Sequence, residues 1–288
     1  MDNVFVRELM ATLTLEHNNQ CVLSPCRLSV EELRLGYGEH IVCDELNLRI
    51  PDGRFTVIIG PNGCGKSTLL RSLCRLLRPE YGRVCLDGHD IHTIPTRALA
   101  RQLGLLPQSV QAPQGIKVVD LVARGRFPHQ RLLRQWSHED YEAVRQAMNA
   151  TGVTELAECV VDELSGGQRQ RVWVAMVLAQ QTPLLLLDEP TTYLDIAHQI
   201  ELLELFCHLN QGSGYTLIAV LHDLNQACRY ADHLIVMAGG RIVVEGAPGE
   251  IITTTLVSEV FGLDCVIIDD PVSHTPLIIP QGRRFTKG

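Results

Sequence analysis

The chain has 288 residues, of which 45% are hydrophobic and 20% charged, and its formal net charge at pH 7 is −8. This composition is typical of a globular protein with one large domain, or one domain with a subdomain, and the acidic balance argues against a nucleic-acid partner. No segment has the ~18 uninterrupted apolar residues of a membrane-spanning helix, and no basic region followed by an apolar stretch marks a secretory signal. The ten cysteines include no Cys-x-x-Cys pair, which favours small buried side chains over disulfides or metal ligands.

The first part of the chain divides into an extension and a series of β runs. Residues 1–28 lack sustained periodicity and are expected to form a poorly ordered extension. Strands are predicted for residues 30–35, 41–50, 54–59 and 83–88, and a helix is predicted for 67–77, before Pro79. These runs indicate an antiparallel β layer near residues 29–60.

The rest of the chain alternates strands with helices. Predicted helices cover residues 118–126, 138–152 and 196–209, and predicted strands cover 103–107, 184–189, 216–222, 234–237 and 241–244. Such alternation is typical of an α/β fold with a mainly parallel sheet covered on both faces. We therefore expect a main domain at 29–250 with a helical subdomain at about 108–165, and a C-terminal extension at 251–288 packed on that domain.

Residues 60–67 read GPNGCGKS, directly after a predicted strand and before a predicted helix. This is the context that a phosphate-binding loop requires, because its glycines let backbone N–H groups curl around phosphate oxygens at a helix N-terminus. Lys66 is expected to contact the β- and γ-phosphates, and the Ser67 hydroxyl to bind Mg²⁺. The nucleotide-binding residues predicted here are Gly60, Pro61, Asn62, Gly63, Cys64, Gly65, Lys66, Ser67 and Thr68.

Two carboxylates end the apolar run LLLLDEP at residues 184–190. Asp188, at the carboxyl end of a strand, suits a Mg²⁺ partner, and Glu189 is placed to polarise an attacking water. Two acids at a strand end could equally form a solvated turn, if they stood alone. Their position after a phosphate-binding loop favours in-line hydrolysis of a nucleotide.

The segment LSGGQRQR at residues 164–171 resembles the signature sequence of ATP-binding-cassette (ABC) proteins, and the resemblance covers roughly residues 29–250. It implies a phosphate-loop ATPase fold of the RecA-like kind. It also implies that Tyr37 stacks on adenine, that Gln108 contacts Mg²⁺, and that His222 contacts the γ-phosphate. Taken singly, Tyr37 could be a turn aromatic and His222 a core or capping histidine. The other residues that the resemblance assigns to nucleotide are Ser165, Gly166, Gly167, Gln168 and Asp195.

The same resemblance implies partners. Two ABC subunits pack head to tail, each contributing LSGGQ to the other's ATP, so a homodimer is expected from a chain with one set of motifs. Ser165 and the two glycines precede a helical run, where a helix N-terminus can donate to phosphate oxygens.

Residues 118–136, 221–236 and 262–280 resemble the ferric-siderophore and cobalamin importer branch of the ABC family and, within it, the ferric-enterobactin importers. This implies an ATP-hydrolysing subunit that works with two membrane permease subunits, and indirectly with a periplasmic siderophore-binding protein, at the cytoplasmic side of a bacterial inner membrane. Cobalamin or haem import, a non-transport ABC ATPase and a nucleotide-gated interaction module are the alternatives.

Overall fold

The structure is a computed structural model, and it describes residues 26–108, 111–130, 136–192 and 194–282. In these ranges the strands are β1 (Leu28–Tyr37), β2 (His40–Ile50), β3 (Phe55–Ile59), β4 (Tyr81–Leu86), β5 (His89–Asp90), β6 (Leu103–Leu106), β7 (Leu184–Asp188), β8 (Thr216–Val220), β9 (His233–Ala238), β10 (Arg241–Gly246), β11 (Cys265–Asp269) and β12 (Pro276–Pro280). The helices are α1 (Lys66–Leu73), α2 (Thr96–Leu99), α3 (Val118–Ala123), α4 (His138–Ala150), α5 (Gly166–Ala179), α6 (Ile196–Ser213), α7 (Leu224–Tyr230), α8 (Pro248–Ile251) and α9 (Thr254–Phe261). None of the helices in these ranges is long and apolar enough to cross a membrane.

A six-stranded sheet in the order β10-β9-β3-β8-β7-β6 forms the centre of the molecule. The strands from β9 to β6 run parallel, and β10 joins the edge antiparallel. β3, β7 and β8 are buried at every residue, as expected for parallel strands covered on both faces, and this explains why their sequences are mostly apolar. The predicted α/β fold with a mainly parallel sheet is confirmed.

A second, antiparallel sheet has the order β2-β1-β4-β5. The expectation of an antiparallel layer over residues 29–60 was wrong for Phe55–Ile59, since β3 pairs in parallel with β8 and β9. The layer is completed instead by β4, which pairs with β1. The physical reason is burial: all five residues of β3 are buried, so side chains on both faces of the strand are covered and it lies in the centre of a covered sheet.

Helix α1 lies between the two sheets. Leu69, Leu70 and Leu73 are fully buried in a core that β1, β2 and β4 share with one face of the six-stranded sheet. The predicted helix of 67–77 ends four residues early, at Leu73, because Arg75 adopts the left-handed conformation with φ of 61°. The Arg75 guanidinium donates to the backbone oxygens of Ile91 and Ile94, at 3.1 and 2.6 Å, and these tertiary hydrogen bonds hold it there.

The other face of the six-stranded sheet packs on the second core, which includes α3, α4 and α5. The predicted helix of 118–126 is α3 followed by a 3₁₀ turn. That turn carries Arg126, whose Nε donates to Asp140 Oδ1 of α4 at 2.8 Å, and both residues are buried. A buried ion pair thus joins α3 to α4 in the segment predicted to be a helical subdomain.

The C-terminal residues contribute to the same core, through Ile251, Leu256, Val257 and Ile278. β11 and β12 form an antiparallel hairpin, which the sequence analysis did not predict. Most of the predicted N-terminal extension, residues 1–25, lies outside the described residues. Its last residue, Leu28, is the first residue of β1 and is fully buried.

Candidate active site

The phosphate loop spans the gap between the end of β3 and the start of α1. Gly60 has φ of 154°, and a Cβ atom there would lie 2.1 Å from the backbone oxygen of Met237 on β9. Gly65 has φ of 103°, and a Cβ atom there would lie 2.5 Å from Cys43 Sγ. Side chains at these positions would push the loop off the sheet, so the sequence G-x-x-x-x-G is a packing requirement as well as a motif.

The loop offers positive charge and backbone donors together. Lys66 is 5% exposed, and its Nζ donates to the backbone oxygens of Gly60 and Pro61, each at 2.9 Å. No side chain caps the N-terminus of α1, whose N-cap residue is Gly65. A buried ammonium beside a helix N-terminus with uncapped N–H groups is an anion-binding arrangement.

Asp188, the last residue of β7, lies below this loop. It is 4% exposed, and its Oδ1 has no hydrogen-bond partner among the described residues. Burial raises the pKa of Asp188, and a hydrogen bond from the Ser67 side chain and the nearby charge of Glu189 act on the same carboxyl in opposite directions. A buried carboxylate oxygen with no partner, next to a hydroxyl, is costly unless a cation completes it. The residues present therefore fit Mg²⁺.

Glu189 turns the chain immediately after β7. Its φ of 51° is unusual for a residue with a side chain, and the turn directs its carboxylate between two neighbouring loops. Oε1 lies 2.7 Å from His222 Nε2, and Oε2 accepts from Gln108 Nε2 at 2.6 Å. The Thr192 hydroxyl also donates to Oε2, at 3.2 Å. The structure therefore brings together Glu189, His222 and Gln108, beside Asp188.

The signature segment is built as a capped helix N-terminus. The Ser165 hydroxyl accepts from the Gln168 N–H at 3.3 Å, and Gln168 Oε1 accepts from the Ser165 N–H at 3.1 Å. Asp195 caps α6 and is 2.7 Å from His198 Nδ1, and a Cβ atom on Gly167 would lie 3.0 Å from the His198 ring. A hydrogen bond from the His198 N–H is the main cause that lowers the pKa of Asp195. Ser165–Gln168 and Asp195 therefore share one surface.

That surface is separate from the phosphate loop of the same chain. Among the described residues, no hydrogen bond joins 165–168 to 60–68, and α5 packs on α3, α4 and β6. Tyr37 lies at the end of β1, about half exposed, and its hydroxyl is 3.5 Å from Arg71 Nη1 of α1. The predicted nucleotide residues thus form two groups, of which the phosphate loop, Asp188 and Glu189 form one.

Residues 43–192 match the family described as ABC transporter. The chain is 60% identical over 260 residues to the ferric enterobactin transport ATP-binding protein FepC of Escherichia coli, an alignment that covers 90% of this chain and 96% of the relative. The chain belongs to the ABC transporter family. Two solved ABC structures share its fold. One, described as a metal-chelate type transporter in an inward-facing conformation, has a TM-score of 0.77 and 29% identity, covering 90% of this chain and 98% of that one. The other, a dimeric bacterial ABC transporter cassette, has a TM-score of 0.68 and 27% identity, covering 76% of this chain and 98% of that one.

These similarities confirm the predicted ABC fold, the predicted importer branch and the prediction of an ATP-hydrolysing, energy-coupling subunit. Sequence reasoning missed several residues of this ABC ATPase. Gln170 on α5 donates to the Pro190 oxygen at 2.9 Å, so it ties the signature helix to the turn after Glu189. Thr192, whose hydroxyl donates to Glu189 Oε2, and Gln199 were not assigned to the catalytic site from the sequence. Gln170 lies within LSGGQRQR and Gln199 lies in no motif, and only the folded chain shows what either amide contacts.

Proposed function

We propose that the chain hydrolyses ATP to ADP and phosphate and couples that reaction to the import of a ferric siderophore, with ferric enterobactin as the first candidate. The observation that carries the proposal is the position of Glu189. Its carboxylate is held between His222 and Gln108 at the carboxyl end of β7. Asp188 precedes it in sequence, and the phosphate loop lies beside that strand end.

The proposed chemistry assigns one task to each side chain. Lys66, with the N-terminal N–H groups of α1, binds the β- and γ-phosphates. Glu189 orients the attacking water and accepts its proton, while His222 positions the water and the γ-phosphate. Mg²⁺, when held by Ser67, Asp188 and Gln108, would neutralise charge on the phosphate oxygens. The Gln108 amide nitrogen is engaged by Glu189, which leaves its amide oxygen to act as the metal ligand.

We propose a homodimer as the working form. Ser165–Gln168 and Asp195 lie on a surface apart from the phosphate loop, so they are suited to the ATP bound by a second copy. At this end of α5, the capping box uses the Gln168 N–H, and the N–H groups of Gly166 and Gly167 at the helix N-terminus are suited to donate to an anion. Adenine stacking falls to Tyr37, whose ring is half exposed beside α1.

The cargo and remaining partners are proposed from the similarity to FepC. Two permease subunits would carry the siderophore through the membrane, a periplasmic siderophore-binding protein would deliver it, and this chain would lie peripherally on the cytoplasmic side of the bacterial inner membrane. No nucleic acid takes part. The high identity along nine-tenths of the chain supports a siderophore over cobalamin or haem.

Uptake of radio-iron from purified ferric siderophores tests the proposal. A strain lacking this chain would carry the wild type, Lys66→Ala, or Lys117→Ala as a matched control, since Lys117 is an exposed lysine paired with Glu158. We expect the wild type and Lys117→Ala to restore uptake of a catecholate siderophore, and Lys66→Ala to restore none. Unchanged uptake of every siderophore in the strain lacking the chain would refute the cargo and direct the search to cobalamin, haem or a non-transport role.

A further inference from the structure

Two glutamine side chains connect the helix after His222 to the loop after Glu189. Helix α7 begins two residues beyond His222, and its N-cap is Asp223. Gln226, in its first turn, donates from Nε2 to Gln199 Oε1 at 2.7 Å. Gln199 lies in the first turn of α6, the helix that follows the loop after Glu189, of which the structure describes residues 190–192, 194 and 195. The two amides therefore meet between two helices that each begin close to a residue of the proposed active site.

The Gln199 amide uses its other end to hold the loop itself. Its Nε2 donates to the backbone oxygens of Leu194, at 2.9 Å, and Thr191, at 3.3 Å. Two carbonyl acceptors require the NH₂ group on that side, so the Gln199 oxygen must face Gln226, and the Gln226 NH₂ must face Gln199. Each amide group is thus fixed by its partners, and the loop, Gln199 and Gln226 form a continuous chain of hydrogen bonds.

This chain of hydrogen bonds closes a ring through the active site. Thr192 lies in the held loop, and its hydroxyl donates to Glu189 Oε2. Glu189 Oε1 contacts His222, which leads through Asp223 into α7 and back to Gln226. Glu189 and His222 are therefore connected by two routes. One is their own 2.7 Å contact, and the other runs through the two glutamines. Glu189 has a strained backbone, with φ of 51°, and such a residue keeps its geometry only when its surroundings determine it.

We propose that Gln199 and Gln226 act as a pair of positioning residues that set the distance between the loop after Glu189 and helix α7, which follows His222. They do not touch the reacting atoms. Their role in turnover rests on the ATP hydrolysis proposed above, whereas the bridge itself is a property of the folded chain. Neither residue carries a charge, no catalytic role was assigned to either from the sequence, and both are half-buried.

Methionine replacements test the pair, because methionine matches glutamine in length and helix propensity but has no amide. We expect Gln199→Met and Gln226→Met each to lower kcat for ATP about fivefold, the effect of losing a hydrogen bond of ordinary strength, and to leave KM for ATP unchanged. The double variant should lose no more than either single variant, because one broken link opens the ring. Gln146→Met is the matched control, since Gln146 is exposed on α4 and its side-chain amide donates to Glu142 of the same helix.

Hydrogen–deuterium exchange of the backbone separates the bridge from catalysis. In Gln226→Met we expect the amides of Thr192 and Leu194 to exchange at least about threefold faster than in the wild type, although the substitution lies on another helix. Asn225→Leu provides the comparison, because Asn225 is on the same helix turn but bonds to the backbone of Ile278. It should destabilise the C-terminal hairpin without changing exchange in the loop or kcat.

Each outcome decides one point. Unchanged loop exchange in Gln226→Met would overturn the bridge, whatever the activity of the chain. Faster exchange with wild-type kcat, or a double variant whose loss is the product of the single losses, would overturn the positioning role. A wild-type chain that binds but does not hydrolyse ATP would refute the proposed function, and the exchange experiment would still decide whether the bridge exists.

Discussion

Replacing Glu189 with glutamine removes the proposed base and preserves its surroundings. The new amide oxygen can take the place of Oε2 and accept from Gln108 and Thr192, which lie at 2.6 and 3.2 Å. The amide nitrogen then lies at the Oε1 position and can donate to His222 Nε2, 2.7 Å away, once the imidazole proton is on Nδ1. All three contacts survive in this variant, so the fold and the nucleotide site should survive as well.

The size of the effect on turnover follows from what is lost. A positioned general base contributes about 10²–10⁴ to a rate, which corresponds to about 3–5 kcal/mol of transition-state stabilisation. ATP binding should not weaken. Lys66, Ser67 and Asp188 are unchanged in this variant, and Lys66 keeps its hydrogen bonds to the backbone oxygens of Gly60 and Pro61. We therefore expect kcat to fall at least about 100-fold, with ATP binding like that of the wild type.

Steady-state phosphate release and gel filtration with ATP and Mg²⁺ measure both quantities. Glu259→Gln is the control, because Glu259 is an exposed glutamate on α9, away from the site. We expect the control to match the wild type, and Glu189→Gln to accumulate as an ATP-bound dimer without turnover. A Glu189→Gln chain that keeps more than about a tenth of the wild-type kcat would refute the assignment of Glu189 as the base, and loss of ATP binding would refute the expectation that the nucleotide site survives the substitution.

Three further outcomes are expected. Arg126→Met should destabilise the chain by about 3–5 kcal/mol, because it leaves the buried carboxylate of Asp140 without its partner; urea unfolding measures this, and the double variant Arg126→Met/Asp140→Leu should recover most of it. A hydrogen bond from the Val272 N–H and, second in size, one from Arg229 lower the pKa of Asp270 to about 2. The stabilising effect of Asp270 is therefore complete above the unfolded-state pKa of about 4 and is lost as pH falls towards 2. Unfolding experiments between these pH values should show a smaller loss of stability for Asp270→Asn than for the wild type. Ser165→Ala should cost about 1 kcal/mol of stability through loss of the α5 capping box, and should weaken the ATP-dependent dimer in gel filtration while leaving the Glu189 network intact.

The sequence was most informative where function depends on a local arrangement. The glycines and the lysine of a phosphate loop lie in one short segment, and the two carboxylates that follow an apolar strand are adjacent in sequence. Both arrangements can therefore be recognised from a few consecutive residues. Pairing between strands is a non-local property, which is why the position of β3 was misassigned. The apolar pattern of a strand indicates how much of it is buried, but nothing in residues 55–59 indicates that β8 and β9 are the neighbouring strands.

Two other differences have the same origin. Helix α1 ends at Leu73 because Arg75 is held in a left-handed conformation by bonds to Ile91 and Ile94, and an arginine gives no sequence signal for that conformation. The hairpin β11–β12 is fixed by α7, where Asn225 exchanges two hydrogen bonds with the Ile278 backbone. Its strands alternate only weakly in polarity, and the contact that holds it in place comes from Asn225, 53 residues before Ile278 in the chain.

The sheet order explains why the phosphate loop, Asp188, Glu189 and His222 lie together, while the signature segment lies apart from them. β3, β8, β7 and β6 are adjacent and parallel, so their carboxyl ends deliver the phosphate loop, His222, the two carboxylates and Gln108 to a single edge. The signature segment begins a helix instead, and α5 packs on the opposite face of that sheet through the second core. No small rotation of one side chain can bring Ser165 over Lys66, because α5 is fixed by Val172, Val174 and Ala175 in the core. In the homodimer proposed above, the two helix N-termini of one chain would therefore bind different phosphates, and a second copy would let both be used.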